Sequence, residues 1–109
     1  ATALAKLGPA AAAAVPALLQ GLASPDGDRR WKAARTLGRI GPPARGAVPA
    51  LARALADDNE YVRAHAARAL GRIGANERQA VDALEKAAHD RDAAVKKAAR
   101  EALVTLSGG

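Results

Sequence analysis

Apolar residues in this chain fall in alternating short stretches, each with helical spacing. In the middle, Val48, Leu51 and Leu55 follow the i, i+3, i+7 spacing of one helical face. After a polar break at Asp57-Asp58-Asn59, a second face follows through Val62, Ala66, Ala69, Leu70 and Ile73. Each stretch is amphipathic and about 13 residues long, so each predicted helix must bury one side against neighbours. The pair then recurs. Leu4, Leu37, Leu70 and Leu103 form one column, Leu18, Leu51 and Leu84 a second, and Val15, Val48 and Val81 a third. Residues 9–41 and 42–74 agree at 18 of 33 positions, and 42–74 and 75–107 at 11 of 33. A fixed period of this length implies stacked repeats. The pattern predicts one all-α domain, an α-solenoid of helical hairpins: a half unit at 1–8, then repeats at 9–41, 42–74 and 75–107.

The punctuation shares that phase. Asp57 is expected to cap the second helix of its repeat, with Glu60 as capping-box partner. Ser24 and Asp90 stand in the same column. Gly41 and Gly74 end second helices, and Pro42 blocks continuation after the first of them. Pro16 and Pro49 predict a helix start or kink within the first helices, because an interior proline loses a backbone hydrogen bond. Asp82 holds the same place in the third repeat and predicts a straighter helix there. Turns are expected near 24–26, 41–43, 57–59, 74–76 and 90–92.

Composition sharpens this picture. Alanine supplies 32 residues, and Val, Ile and Leu together 20, with no Phe, Met or Cys. Such a core demands close helix approach, and alanine is the strongest helix former. Without cysteine no disulfide can form. No apolar run reaches the ~20 residues of a membrane helix, so no membrane partner is expected and cytoplasmic residence is the default. The start at Ala1 and the Ser107-Gly108-Gly109 ending read as a trimmed or constructed array.

The motif Ala-Val-Pro-Ala-Leu at Ala47 to Leu51, followed by Val-Arg-x-x-Ala-Ala-x-Ala-Leu-Gly-x-Ile-Gly at Val62 to Gly74, resembles HEAT repeats. It is closest in form to the short HEAT-like repeats named after phycobilisome lyases. The resemblance covers nearly the whole chain and departs at its ends. Arg29 stands where the motif has valine, and Val104, Thr105 and Ser107 break the Gly-x-Ile-Gly ending. The resemblance implies first helices on a convex side and second helices on a concave one. It also implies that Arg30, Arg63 and Lys96 brace the turns between helices, with Asp57 or Asp90 as partners.

On that arrangement the candidate interaction face holds Trp31, Lys32, Arg35, Arg39, His65, Arg68, Arg72 and Lys97. With Lys6 and Glu101 the strip carries a charge equal to the net +6 of the chain. It reads either as an anion-binding face or as an ordinary solvated helix surface. Trp31, the lone tryptophan, is expected to be exposed, as an interaction hot spot would be, or packed on the stems of Lys32 or Arg35. Tyr61 is expected to pack beside its loop. A second candidate surface serves self-association. Ala12, Ala13 and Leu19 lack the polar cover of other repeats, and Leu4 and Leu7 lie at an unfinished edge.

Chemistry-bearing motifs are few. His65 and His89 fall on different helices, outside any His-x-x-x-His pair. The His-Glu dipeptides of the HEAT-like iron hydroxylases are missing, and no nucleophile motif or glycine-rich phosphate loop is present. No catalytic residue, metal site or cofactor is therefore expected. The residues point to a non-enzymatic scaffold that binds a protein or itself as a homo-oligomer, natural or designed. The alternative is weak, nonspecific nucleic-acid binding through the basic strip.

Overall fold

A computed structural model describes residues 8–108 of the chain. The elements are α1 (Gly8–Ala13), α2 (Val15–Leu22), α3 (Gly27–Ile40), a 3-10 segment (Pro42–Ala47), α4 (Val48–Ala54), α5 (Glu60–Ile73), α6 (Arg78–Ala87) and α7 (Ala93–Gly108). No strand occurs among the described residues. Each first helix, α2, α4 or α6, packs on the second helix of its own repeat. The second helices α3, α5 and α7 lie side by side, making a two-layer solenoid of 37 × 35 × 22 Å. The predicted half unit, with Leu4, Lys6 and Leu7, lies outside the described residues.

The repeating apolar columns form the core. Leu37, Leu51, Leu70, Leu84, Val62 and Val95 are fully buried, as is Ile73. Leu103, in the third full repeat, is partly buried against this core. The prolines act as expected. New helices begin at Val15 and Val48 with Pro16 and Pro49 in their first turn, where a missing N–H costs nothing. The third repeat, without that proline, runs as the single helix α6. At Gly74 the chain turns left-handed (φ 80°, ψ 36°), and the Ala75 amide donates back to the Leu70 carbonyl. A side chain at that position would be strained.

The second helices approach closely because small residues meet where they cross. A Cβ on Gly38 would lie 3.0 Å from the Ala69 Cα. One on Gly71 would lie 3.1 Å from the Ala102 Cα. Both glycines are therefore buried at helix crossings rather than presented on a surface.

The caps correct the expected assignment. The second helices are capped two residues later than predicted, by Asp26, Asn59 and Asp92. Asn59 Oδ1 accepts from the amides of Tyr61 and Val62, and Asp92 Oδ1 from those of Ala94 and Val95. Asp26 accepts from the Asp28 amide. The column of Ser24, Asp57 and Asp90 instead fixes the turn before each cap: each side chain accepts the amide of the capping residue itself. A carboxylate two residues ahead of the cap, as at Asp57 and Asp90, also stays free to meet a cation from the neighbouring repeat.

That cation is the arginine of the preceding repeat. Arg30 Nε and Nη2 donate to the two Asp57 carboxylate oxygens at 2.9 and 3.1 Å, and its Nη1 to the carbonyls of Ser24 and Pro25. Arg63 repeats the pattern toward Asp90 at 2.9 and 3.2 Å, with Nη1 on the Asp57 carbonyl at 2.8 Å. Burial alone would raise both carboxyls. The arginines and the Asn59 and Asp92 amides outweigh it and hold Asp57 and Asp90 below the usual carboxylate range. These rungs stitch each turn to the next.

Candidate functional site

The second helices also carry a different set of arginines. Arg35 and Arg39 on α3 and Arg68 and Arg72 on α5 line one groove of about 190 Å³. Its floor is Ala34, Gly38 and Ala69. Those small residues admit the close helix approach and leave the groove open above it. His65 stands on its wall. Among the described residues none of the four arginines makes an ion pair. The Arg35 Nε–H is buried and has no hydrogen-bond acceptor.

Of the two expectations for Trp31, the packed one is seen, beside Lys32 and Arg35, with a further partner. Its ring is stacked on His65 of the next repeat, with centroids 5.1 Å apart and planes 19° from parallel. The Arg35 guanidinium lies 5.2 Å and the Lys32 ammonium 5.7 Å from the ring centre. The indole N–H donates to Asp28 Oδ1 at 3.2 Å. Trp31 thus joins α3 to α5 and is half-buried. Ala64, its counterpart in the second repeat, is buried rather than surface-facing, and so is Ala98. His65 is pushed below its ordinary value by burial, then by the charges of Arg68, Arg35 and Arg72.

The predicted strip is not continuous. Lys32 lines a separate groove between α2 and α3, with Leu18, Gly21 and Arg29. Between α5 and α7, Arg68 and Arg72 face Glu101 and Thr105. Lys97 is exposed on α7 and lines neither groove between second helices. The cationic character therefore concentrates between α3 and α5.

On the other layer, Ala12 and Ala13 are exposed, as the sequence suggested. Leu19 is half-buried against the core and borders a shallow groove with Leu22, Ala50, Arg53 and Ala54. Tyr61 is 62% exposed and does not pack beside its loop. Val104 is 69% exposed on α7. Among the described residues no three His, Cys, Asp or Glu side chains converge as metal ligands. No described helix is long and apolar enough to cross a membrane.

Two stacked layers of short hairpins, tied by arginine rungs between successive turns, define a helical-repeat solenoid. The family model described as HEAT repeats matches residues 15–104, and the chain belongs to that family. No curated protein matches it significantly. Among solved structures it is similar to human deoxyhypusine hydroxylase in complex with glycerol, at 33% identity and a TM-score of 0.75. That match covers 88% of this chain but 33% of the hydroxylase. It is also similar to an engineered protein, at 28% identity and a TM-score of 0.70, over 86% of this chain and 45% of the other. The chain thus spans less than half of either structure.

Proposed function

We propose that this HEAT-repeat chain is a non-enzymatic binding scaffold, whose concave side is the face of α3, α5 and α7 and whose partner is a protein. The observation that carries the reading is the groove between α3 and α5. Four arginines line it on a two-layer helical support, and none makes an ion pair among the described residues. Repeat arrays of this kind act through such extended surfaces. The chain lacks a His-Glu dipeptide, and neither His65 nor His89 has a catalytic partner, so the activity named for the hydroxylase is not carried over. The regular period and the likeness to an engineered protein support a designed or idealised array. The break of the strip at Glu101 and Thr105 weighs against a nucleic-acid track.

The test is affinity capture with the intact chain beside an Arg39→Glu/Arg72→Glu variant. Proteins retained by the parent and lost by the variant, with the circular-dichroism spectrum unchanged, are the expected result. Identical retention by both would remove this face from the function.

Self-association is a second reading. It rests on exposed Ala12 and Ala13 beside the shallow groove at Leu19 and Leu22. Light scattering should then show a dimer that Leu19→Glu dissociates. A monomer at high concentration ends this reading.

A further inference from the structure

Resting on the scaffold reading, we propose that the groove between α3 and α5 is a phosphate-binding site for a phosphorylated segment of a partner protein, held by Arg35, Arg39, Arg68 and Arg72. The charge argument comes first. Four arginines line one space of about 190 Å³, and none is engaged by a carboxylate among the described residues. A single carboxylate would leave most of that charge uncompensated. A phosphomonoester carries about −1.5 to −2 charges and three strong acceptor oxygens. Arginine forks match such oxygens in pairs.

The second argument is an unsatisfied donor. The buried Nε–H of Arg35 has no acceptor. A buried unpaired donor is costly, so the Arg35 side chain would gain an acceptor by turning toward an oxyanion in the groove it lines. The third argument is shape. Ala34, Gly38 and Ala69 keep the floor low, so an anion can settle between the helices rather than above them.

A phosphoprotein fits better than a nucleic acid. Strand binding needs a continuous basic track and free aromatic platforms. The next groove along the array offers Glu101 and Thr105 in place of the third pair of arginines. The ring of Trp31 is already stacked on His65. One discrete four-arginine site suits one modified side chain, as arginine clusters in phosphopeptide-binding modules do.

Fluorescence anisotropy of a labelled Gly/Ser-rich peptide carrying one phosphoserine tests the proposal. Its unphosphorylated form, its Ser→Glu form and an oligothymidine of equal length are the comparison probes. The phosphopeptide should bind at least ~10-fold tighter than the unphosphorylated form. Trp31 emission should change in step, because its stacking partner His65 lines the groove. Arg35→Gln/Arg68→Gln should abolish binding. Arg78→Gln/Arg100→Gln, which removes two exposed charges outside the groove, should leave it intact. Equal loss in both double variants would overturn the proposal, since net charge alone would then explain binding. Tighter binding of the oligothymidine, or no preference for the phosphorylated peptide, would overturn it as well. If proteins are still captured through Arg39 and Arg72 while the phosphopeptide fails, only this inference falls and the scaffold reading stands.

Discussion

Arg63 and Arg68 stand on the same helix, yet they have opposite surroundings. Arg63 is 7% exposed and spends its guanidinium on the Asp90 carboxylate and the Asp57 carbonyl. Arg68 is exposed, makes no ion pair among the described residues, and lines the groove. Arg30 and Arg35 repeat the contrast on α3: one is a rung, the other lies over the Trp31 ring, makes no ion pair among the described residues and keeps an unsatisfied donor. A charge count does not separate these pairs. Five residues advance a helix by about 500°, which turns the second arginine some 140° away from the first. One side meets the turns of neighbouring repeats and the other meets the groove, so stability and recognition occupy different sides of the same helices.

Substitutions along α5 break this contrast most directly. Leu70→Ala should cost about 3–4 kcal/mol, since Leu70 is fully buried. Arg68→Ala should cost about 0.5 kcal/mol or less. Urea midpoints at unchanged slope report both, and equal losses would refute the facing described above.

Arg63→Ala should come next at about 3 kcal/mol, because it strands the Asp90 carboxylate in a mostly buried position. Arg30→Ala should cost less, because the side chain of Arg30 is 17% exposed against 8% for Arg63. The reverse order of melting temperatures would show that burial does not rank the rungs.

A smaller effect lies in the acid limb of the stability curve. Asp57 and Asp90 are held below their unfolded values, so their contribution is present above about pH 4 and is lost as pH falls through the folded values. The parent should therefore lose stability steeply below about pH 4. Asp57→Asn/Asp90→Asn should start less stable and fall more gently over that range. Parallel curves for the two proteins would remove the rungs as the cause.

The smallest effect belongs to the groove. His65 should titrate below the ordinary ~6.5 in a proton NMR titration. Because the fold disfavours the charged ring, His65 should cost stability as pH falls below about 6.5. Arg68→Gln should move its titration part of the way back up, burial accounting for the rest. An unchanged midpoint in that variant would mean the arginines do not act on His65.

Much of this was legible in the chain. The leucine and valine columns, the kinks at Pro16 and Pro49 and the straight third hairpin follow from spacing and backbone chemistry, which are local. The caps were misplaced by two residues although a signal was present. Ser24-Pro25-Asp26, Asp57-Asp58-Asn59 and Asp90-Arg91-Asp92 each hold a polar candidate at the first and third positions, and the third is the cap. A sequence cannot rank them, because the first candidate is claimed by the turn and, at Asp57 and Asp90, also by an arginine of the neighbouring repeat.

The sequence by itself determined the all-helical repeat, its 33-residue period and the helix faces that are buried, because helix periodicity acts within a few residues of chain. Only the tertiary structure decided which arginines are rungs and which are free. It also placed Trp31 on His65 and gathered Arg35, Arg39, Arg68 and Arg72 along one groove. Those outcomes depend on contacts between repeats some 27 to 37 residues apart. Such distances are set by how closely Gly38 meets Ala69 and Gly71 meets Ala102, which no local pattern specifies.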